Sequence, residues 1–203
     1  MDNSESARGT SYPALMLDLS EPHYRTLADY ARGIRDLLSK PAAGSSPELA
    51  GSIDDLLGAV YALIQAKRHH FKDRDRPINI KPVAQRAGRI ASGHVRTDGQ
   101  WIAGFYFNNA LFRTASVYHR LLKIVTGKNA YVPVLLPKVK ALYPSWANDK
   151  LDLVHGQVNH LKHTPRGVHD ERTVKYDDAV AAVGELIALI QAATAQVAPS
   201  SKP

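Results

Sequence analysis

Residues 155–169 read HGQVNHLKHTPRGVH, which gathers His155, His160, His163 and His169, four of the chain's nine histidines, into one short stretch. Imidazole can bind a metal, exchange a proton near neutral pH or contact a phosphate, so the neighbouring residues decide its use. Placed on a helix, Asp152, His155, Asn159 and His163 fall within an arc of about 80°, while His160 points elsewhere and His169 lies past the TPRG turn. A carboxylate and two imidazoles on one face could hold a divalent ion. Asp152 would then ligate or orient His155, with His69, His70 or Asp170 as donors from elsewhere. The same face could instead meet a phosphate backbone through Asn159, Lys162 and His163 beside Arg166. In its plainest reading it is the solvated side of an amphipathic helix.

A second pattern is RTASVYH, in which Arg113 and His119 stand close in sequence. Guanidinium forks onto phosphate oxygens and imidazole moves protons, a combination suited to phosphodiester chemistry. On a helix the two project about 120° apart, so they would flank a site rather than point together. Arg89 and His94 in RIASGH have a similar spacing. The structural alternative puts Arg113 on a solvated polar face with Asn109, Ser116, Arg120 and Lys123, and makes His119 an interior or interface histidine with its hydrogen bonds satisfied. KRHHFKDRDR, residues 67–76, is a basic patch with one aromatic, readable as a solvated helix end or as a nucleic-acid contact.

Several chemistries lack their signatures. There is no G-x-x-x-x-G-K phosphate loop, no strand followed by G-x-G-x-x-G, no H-E-x-x-H and no G-x-S-x-G. The chain has no cysteine, which removes disulfides, thiolate metal sites and cysteine nucleophiles and fits a reducing cytoplasm. Any metal would need His, Asp and Glu, and the expectation is that none is bound and no cofactor is used. A net charge of +7 favours an anionic partner such as RNA, since clustered Lys and Arg displace counterions from phosphates. MDNSESARGTSYP is too polar for a secretory leader, and charges interrupt every apolar run before the roughly 18 residues a membrane span requires. The expectation is a soluble, cytoplasmic protein without a membrane partner.

The elements that must position these residues are helices, because the apolar residues recur at three and four rather than at two. Residues 20–40 form one helix and residues 47–70 a second, started by Ser46 as N-cap and Pro47 at the first helical position. Their short connection implies an antiparallel hairpin. KDRDRPINIKP is a loop or short strand, and residues 81–94 form a brief helix. The longest helix runs from about Gly99 to a stop at Gly127. It carries one broad apolar face (Phe107, Ala110, Leu111, Val117, Tyr118, Leu121, Val125) and a second stripe (Trp101, Phe105, Asn108, Phe112, Ala115, His119, Leu122). Such a helix is central, its second stripe buried within the monomer or facing another copy, with the former favoured. Pro133 and Pro137 then break the pattern, leaving a short helix at residues 139–146. Helices at residues 151–163 and 176–196 complete an all-α bundle of about five to six helices. It forms a single domain over residues 15–196, between disordered tails at residues 1–14 and 197–203.

With Arg113 and His119 on the central helix of an all-helical chain of this size, the sequence resembles the HEPN superfamily. Its members are often helical, dimeric, metal-independent ribonucleases of defence and toxin systems. The resemblance implies a homodimer in which Arg and His of two subunits converge on one RNA backbone. Arg113 would bind the phosphate, and His119 would assist proton transfer at the 2′-hydroxyl. Asn109, Arg120, Asn159, Lys162 and His163 would support RNA binding, and an antitoxin or regulatory protein would be a further partner. The competing expectation is a non-catalytic helical module that binds nucleic acid or protein through its basic surface.

Overall fold

A computed structural model describes residues 22–39, 46–70, 98–163 and 174–197. The RIASGH pair, the 81–94 helix, Arg166, His169, Asp170, the end of the basic patch and most of both tails lie outside the described residues. Among those described, the chain forms six helices and no strand: α1 Pro22–Leu38, α2 Pro47–His70, α3 Asp98–Thr126, α4 Val132–Leu142, α5 Asp149–His163 and α6 Tyr176–Val197. The fold is all-α.

The ends of these helices follow from local chemistry. The Ser46 hydroxyl accepts the Leu49 N–H at 3.3 Å, so α2 starts where serine can satisfy an otherwise orphaned donor. α3 stops at Gly127, whose φ of 61° is a conformation that costs glycine little. α4 differs from the sequence expectation, beginning at Val132 and including both prolines, whereas residues 139–146 are helical only as far as Leu142. Pro133 sits in the first turn, where a missing N–H costs nothing. Pro137 lies inside the helix but is exposed, so water can reach the carbonyl it leaves unpaired.

α3 is the central element, packed on α2, α4, α5 and α6, while α1 closes the bundle against α2 and α6. Tyr24 near the start of α1 meets Lys67 near the end of α2, its ring centroid 4.6 Å from the ammonium, as an antiparallel pair requires. The core draws on all six helices, with Leu27, Ile53, Leu63, Phe107, Leu111, Leu135, Val154 and Leu186 fully buried. Tyr176 stacks on Phe107 and donates to the Leu63 carbonyl at 2.7 Å, so the start of α6 is tied to two helices.

The second stripe of α3 has a divided fate. Asn108, Ala115 and Leu122 are buried within the chain, Phe112 and His119 are half-buried, and Phe105 is 62% exposed. α2, and α6 over Tyr176–Ala195, are long and apolar enough by composition to cross a membrane, which the interruption of apolar runs by charge did not anticipate. In the fold, much of each is buried in the core.

Candidate functional site

α3 carries two polar groups on different sides, each completed by a different neighbour. On the α2 side, Arg113 Nη1 donates to Asp55 Oδ1 at 2.7 Å, and its Nε donates to Asn109 Oδ1, one turn earlier, at 2.9 Å. Arg120 pairs with the other oxygen of Asp55. The two arginines lie seven positions apart, about two helical turns, and therefore on one face. Gly58 admits the Arg113 guanidinium to the surface of α2, since a Cβ there would lie 2.8 Å from Nη1.

On the α5 side, α5 runs antiparallel to α3. Tyr118 meets Asp152 and His155 near the start and middle of α5, while Phe112 lies beneath Lys162 near its end, ammonium to ring centroid 5.6 Å. The buried Tyr118 hydroxyl donates to Asp152 Oδ1 at 2.8 Å, and Asn148 Nδ2 donates to Oδ2 at 2.8 Å. Burial first, and Asp152 second, push the Tyr118 phenol far above its ordinary range, so it remains a fixed donor. The His155 ring meets Tyr118 edge-on, centroids 6.0 Å apart, and the Asn159 amide nitrogen lies 3.4 Å from its Nε2. Loss of solvation, reinforced by the neighbouring His119, holds the His155 imidazole below its usual range, against the opposing pull of Asp152.

His119 Nε2 lies 2.8 Å from the Ala130 carbonyl. A carbonyl oxygen only accepts, so this nitrogen carries the proton, which leaves Nδ1 as the basic atom of the neutral ring. The position of α5 is secured from α6. The Glu185 carboxylate accepts the Lys150 and Leu151 N–H groups at 3.2 and 2.9 Å, capping the first turn of α5, and Lys150 pairs with Asp178 at 2.7 Å. Burial raises the Glu185 carboxyl despite those two hydrogen bonds. Trp146 Nε1 donates to the Glu185 backbone carbonyl at 2.8 Å, which pins the connection between α4 and α5.

The predicted site residues thus separate into two sets. Asn109, Arg113 and Arg120 form one with Asp55, while on the α5 side His155 meets Tyr118, the chain neighbour of His119, Asn159 approaches His155, and Lys162 lies farther along over Phe112. Within one chain, Arg113 and His119 do not share a partner. Asp152 is held by Tyr118 and Asn148, and among the described residues no three His, Asp or Glu side chains gather as a metal site. His69 stacks on Tyr106 at 5.6 Å. Sequence reasoning missed Asp55, Gly58, Tyr118 as a polar anchor, and Glu185. Gly58 left no distinctive signal, because Gly33, Gly51 and Gly156 also interrupt helical patterns and have nothing within 4 Å of the Cβ position.

Comparison with family models, curated proteins and solved structures finds no significant match to this chain.

Proposed function

We propose that the protein is an HEPN-like, metal-independent endoribonuclease whose proton-handling face is the junction of α3 and α5. The observation that supports this most is the edge-on packing of the His155 ring on Tyr118, the residue next to His119, on a helix that also bears the exposed Asn159, Lys162 and His163. In cleavage by internal attack, the ribose 2′-oxygen bonds to the adjacent phosphorus and the bond from phosphorus to the 5′-oxygen breaks. One proton must leave the 2′-hydroxyl and one must reach the departing 5′-oxygen, giving a cyclic phosphate and a 5′-hydroxyl. His119 Nδ1 takes the first, and His155, when doubly protonated, supplies the second; its lowered range makes that form scarce at neutral pH, so cleavage should be favoured in mildly acidic solution. Asn159, Lys162 and His163 contact the RNA backbone.

Phosphate stabilisation falls to Arg113. Because it lies on the other side of α3, a composite site requires the Arg113 of a second copy to approach His119, as the family resemblance implies. Such a protein would belong to a toxin or defence system and be restrained by a companion protein.

Purified protein incubated with mixed RNA under chelator should cleave it, and His119→Ala and His155→Ala should not. Mixing the Arg113→Ala and His119→Ala variants should restore cleavage, since a mixed dimer retains one complete site. No cleavage by the wild type, or unchanged cleavage in both histidine variants, would sink the proposal. The alternative, a nucleic-acid-binding module, draws on the separation of Arg113 from His119 and gives salt-sensitive binding without turnover.

A further inference from the structure

Asp55 bridges Arg113 and Arg120 with one carboxylate oxygen on each guanidinium. One negative charge faces two positive ones, so the cluster keeps a net charge of +1. It is not buried, since the arginine side chains are each 40% exposed and Asp55 35%. Solvent therefore reaches the ion pair, and so can a polyanion. Arg120 Nε has no acceptor among the described residues but is shielded from solvent, so an anion would meet Arg120 through its terminal nitrogens. Arg113 is held from two further sides, by the Asn109 amide oxygen and by the bare backbone of α2 at Gly58. The guanidinium is thus oriented without help from Asp55.

A carboxylate spanning two guanidiniums presents the same pair of anionic oxygens as the non-bridging oxygens of a phosphodiester. We propose that Arg113 and Arg120 form a phosphodiester clamp for single-stranded RNA, in which Asp55 is a built-in stand-in for the phosphate and competes with it. Asp55 turns toward solvent when RNA binds, and its charge sets the threshold for binding. The ligand class rests on the nucleic-acid side of the function proposed above, but the clamp does not depend on cleavage.

The test is binding of labelled oligouridine by fluorescence anisotropy over a range of salt concentrations, in a His119→Ala background that removes turnover. Asp55→Asn removes the competing charge from a half-exposed site and should tighten binding roughly three- to tenfold at low salt. Freeing one further phosphate contact should steepen the dependence of log affinity on log salt by about 0.7, the single-strand value per contact. Adding Arg113→Gln or Arg120→Gln to Asp55→Asn should abolish the gain. Asp55→Ser, smaller and equally neutral, should reproduce it, which guards against a peculiarity of asparagine. Weaker binding in both Asp55 variants with unchanged unfolding midpoints would overturn the proposal, making Asp55 a positioning residue. Unchanged affinity and slope would also overturn it, by placing RNA elsewhere. If the binding gain appears although wild-type protein never cleaves RNA, the clamp stands and the ribonuclease reading falls. Cleavage without the gain has the opposite meaning.

Discussion

Two glycines inside helices face neighbours at nearly the same distance, yet substitution by alanine should have opposite effects on stability. At Gly58 a Cβ would lie 2.8 Å from Arg113 Nη1 and 3.1 Å from its Cζ. At Gly184 it would press on the Tyr30 hydroxyl and lie 3.1 Å from its Cζ. Alanine gains about 1 kcal/mol over glycine in a helix interior in either case. At position 58 the obstacle is the end of a flexible, half-exposed arginine, which can swing away at the cost of one ion pair worth about 0.2–1 kcal/mol. Gly58→Ala should therefore be neutral to about 1 kcal/mol more stable. At position 184 the obstacle is the tip of a ring lodged between α1 and α6, and overpacking of that kind costs about 1–3 kcal/mol. Gly184→Ala should be neutral to about 2 kcal/mol less stable, and adding Tyr30→Phe, which removes the nearest atom, should recover most of the loss. Gly156→Ala is the control, since nothing lies within 4 Å of that position and only the helix gain remains. Urea denaturation resolves these differences, and the expected shifts in Tm are about 2–4 °C per kcal/mol for a chain of this size. A loss of 2 kcal/mol or more in Gly58→Ala would refute the reasoning by showing that Arg113 cannot leave α2. So would a Gly184→Ala protein as stable as the Gly156→Ala control.

Tyr118→Phe should cost about 1–2 kcal/mol in denaturant unfolding, because it deletes a 2.8 Å hydrogen bond to a carboxylate that water can partly rehydrate. No change would mean that Asp152 is held by Asn148 alone. For His155, the folded imidazole titrates below the ordinary value of 6.5, so between those two values the unfolded chain binds more protons. The His155 contribution to stability is therefore complete above pH 6.5 and falls as pH drops toward the folded value. His155→Gln should flatten that part of the profile, and an NMR titration placing the His155 ring at or above 6.5 would contradict the assignment.

The helical content was open to sequence reasoning because apolar spacing of three and four is a property of each segment. Ser46, Pro47 and Gly127 marked helix ends through local backbone chemistry, and the structure agrees at each. α4 was misplaced because proline is judged by its usual effect in a helix interior, whereas Pro133 falls in the tolerant first turn. The polar stripe of α5 was visible as spacing, but spacing could not say that Asp152 would be held by Tyr118 and Asn148, or that the His155 ring would pack edge-on against Tyr118. Asp55 drew no notice for a related reason. A carboxylate on an amphipathic helix is ordinary until another helix brings two arginines to it.

By itself, then, the sequence determined the helices other than α4, their polar and apolar faces, the basic charge and the absence of thiol chemistry, since all of these follow from residue type and short-range periodicity. Only the tertiary structure decided which faces meet. Arg113 and His119 are six residues apart, yet the packing of α2 on one side of α3 and α5 on another gives them different partners. Asp55, 58 residues before Arg113, becomes its closest charged neighbour. Electrostatic and hydrogen-bonding interactions act over a few ångströms of space, and the fold sets those distances.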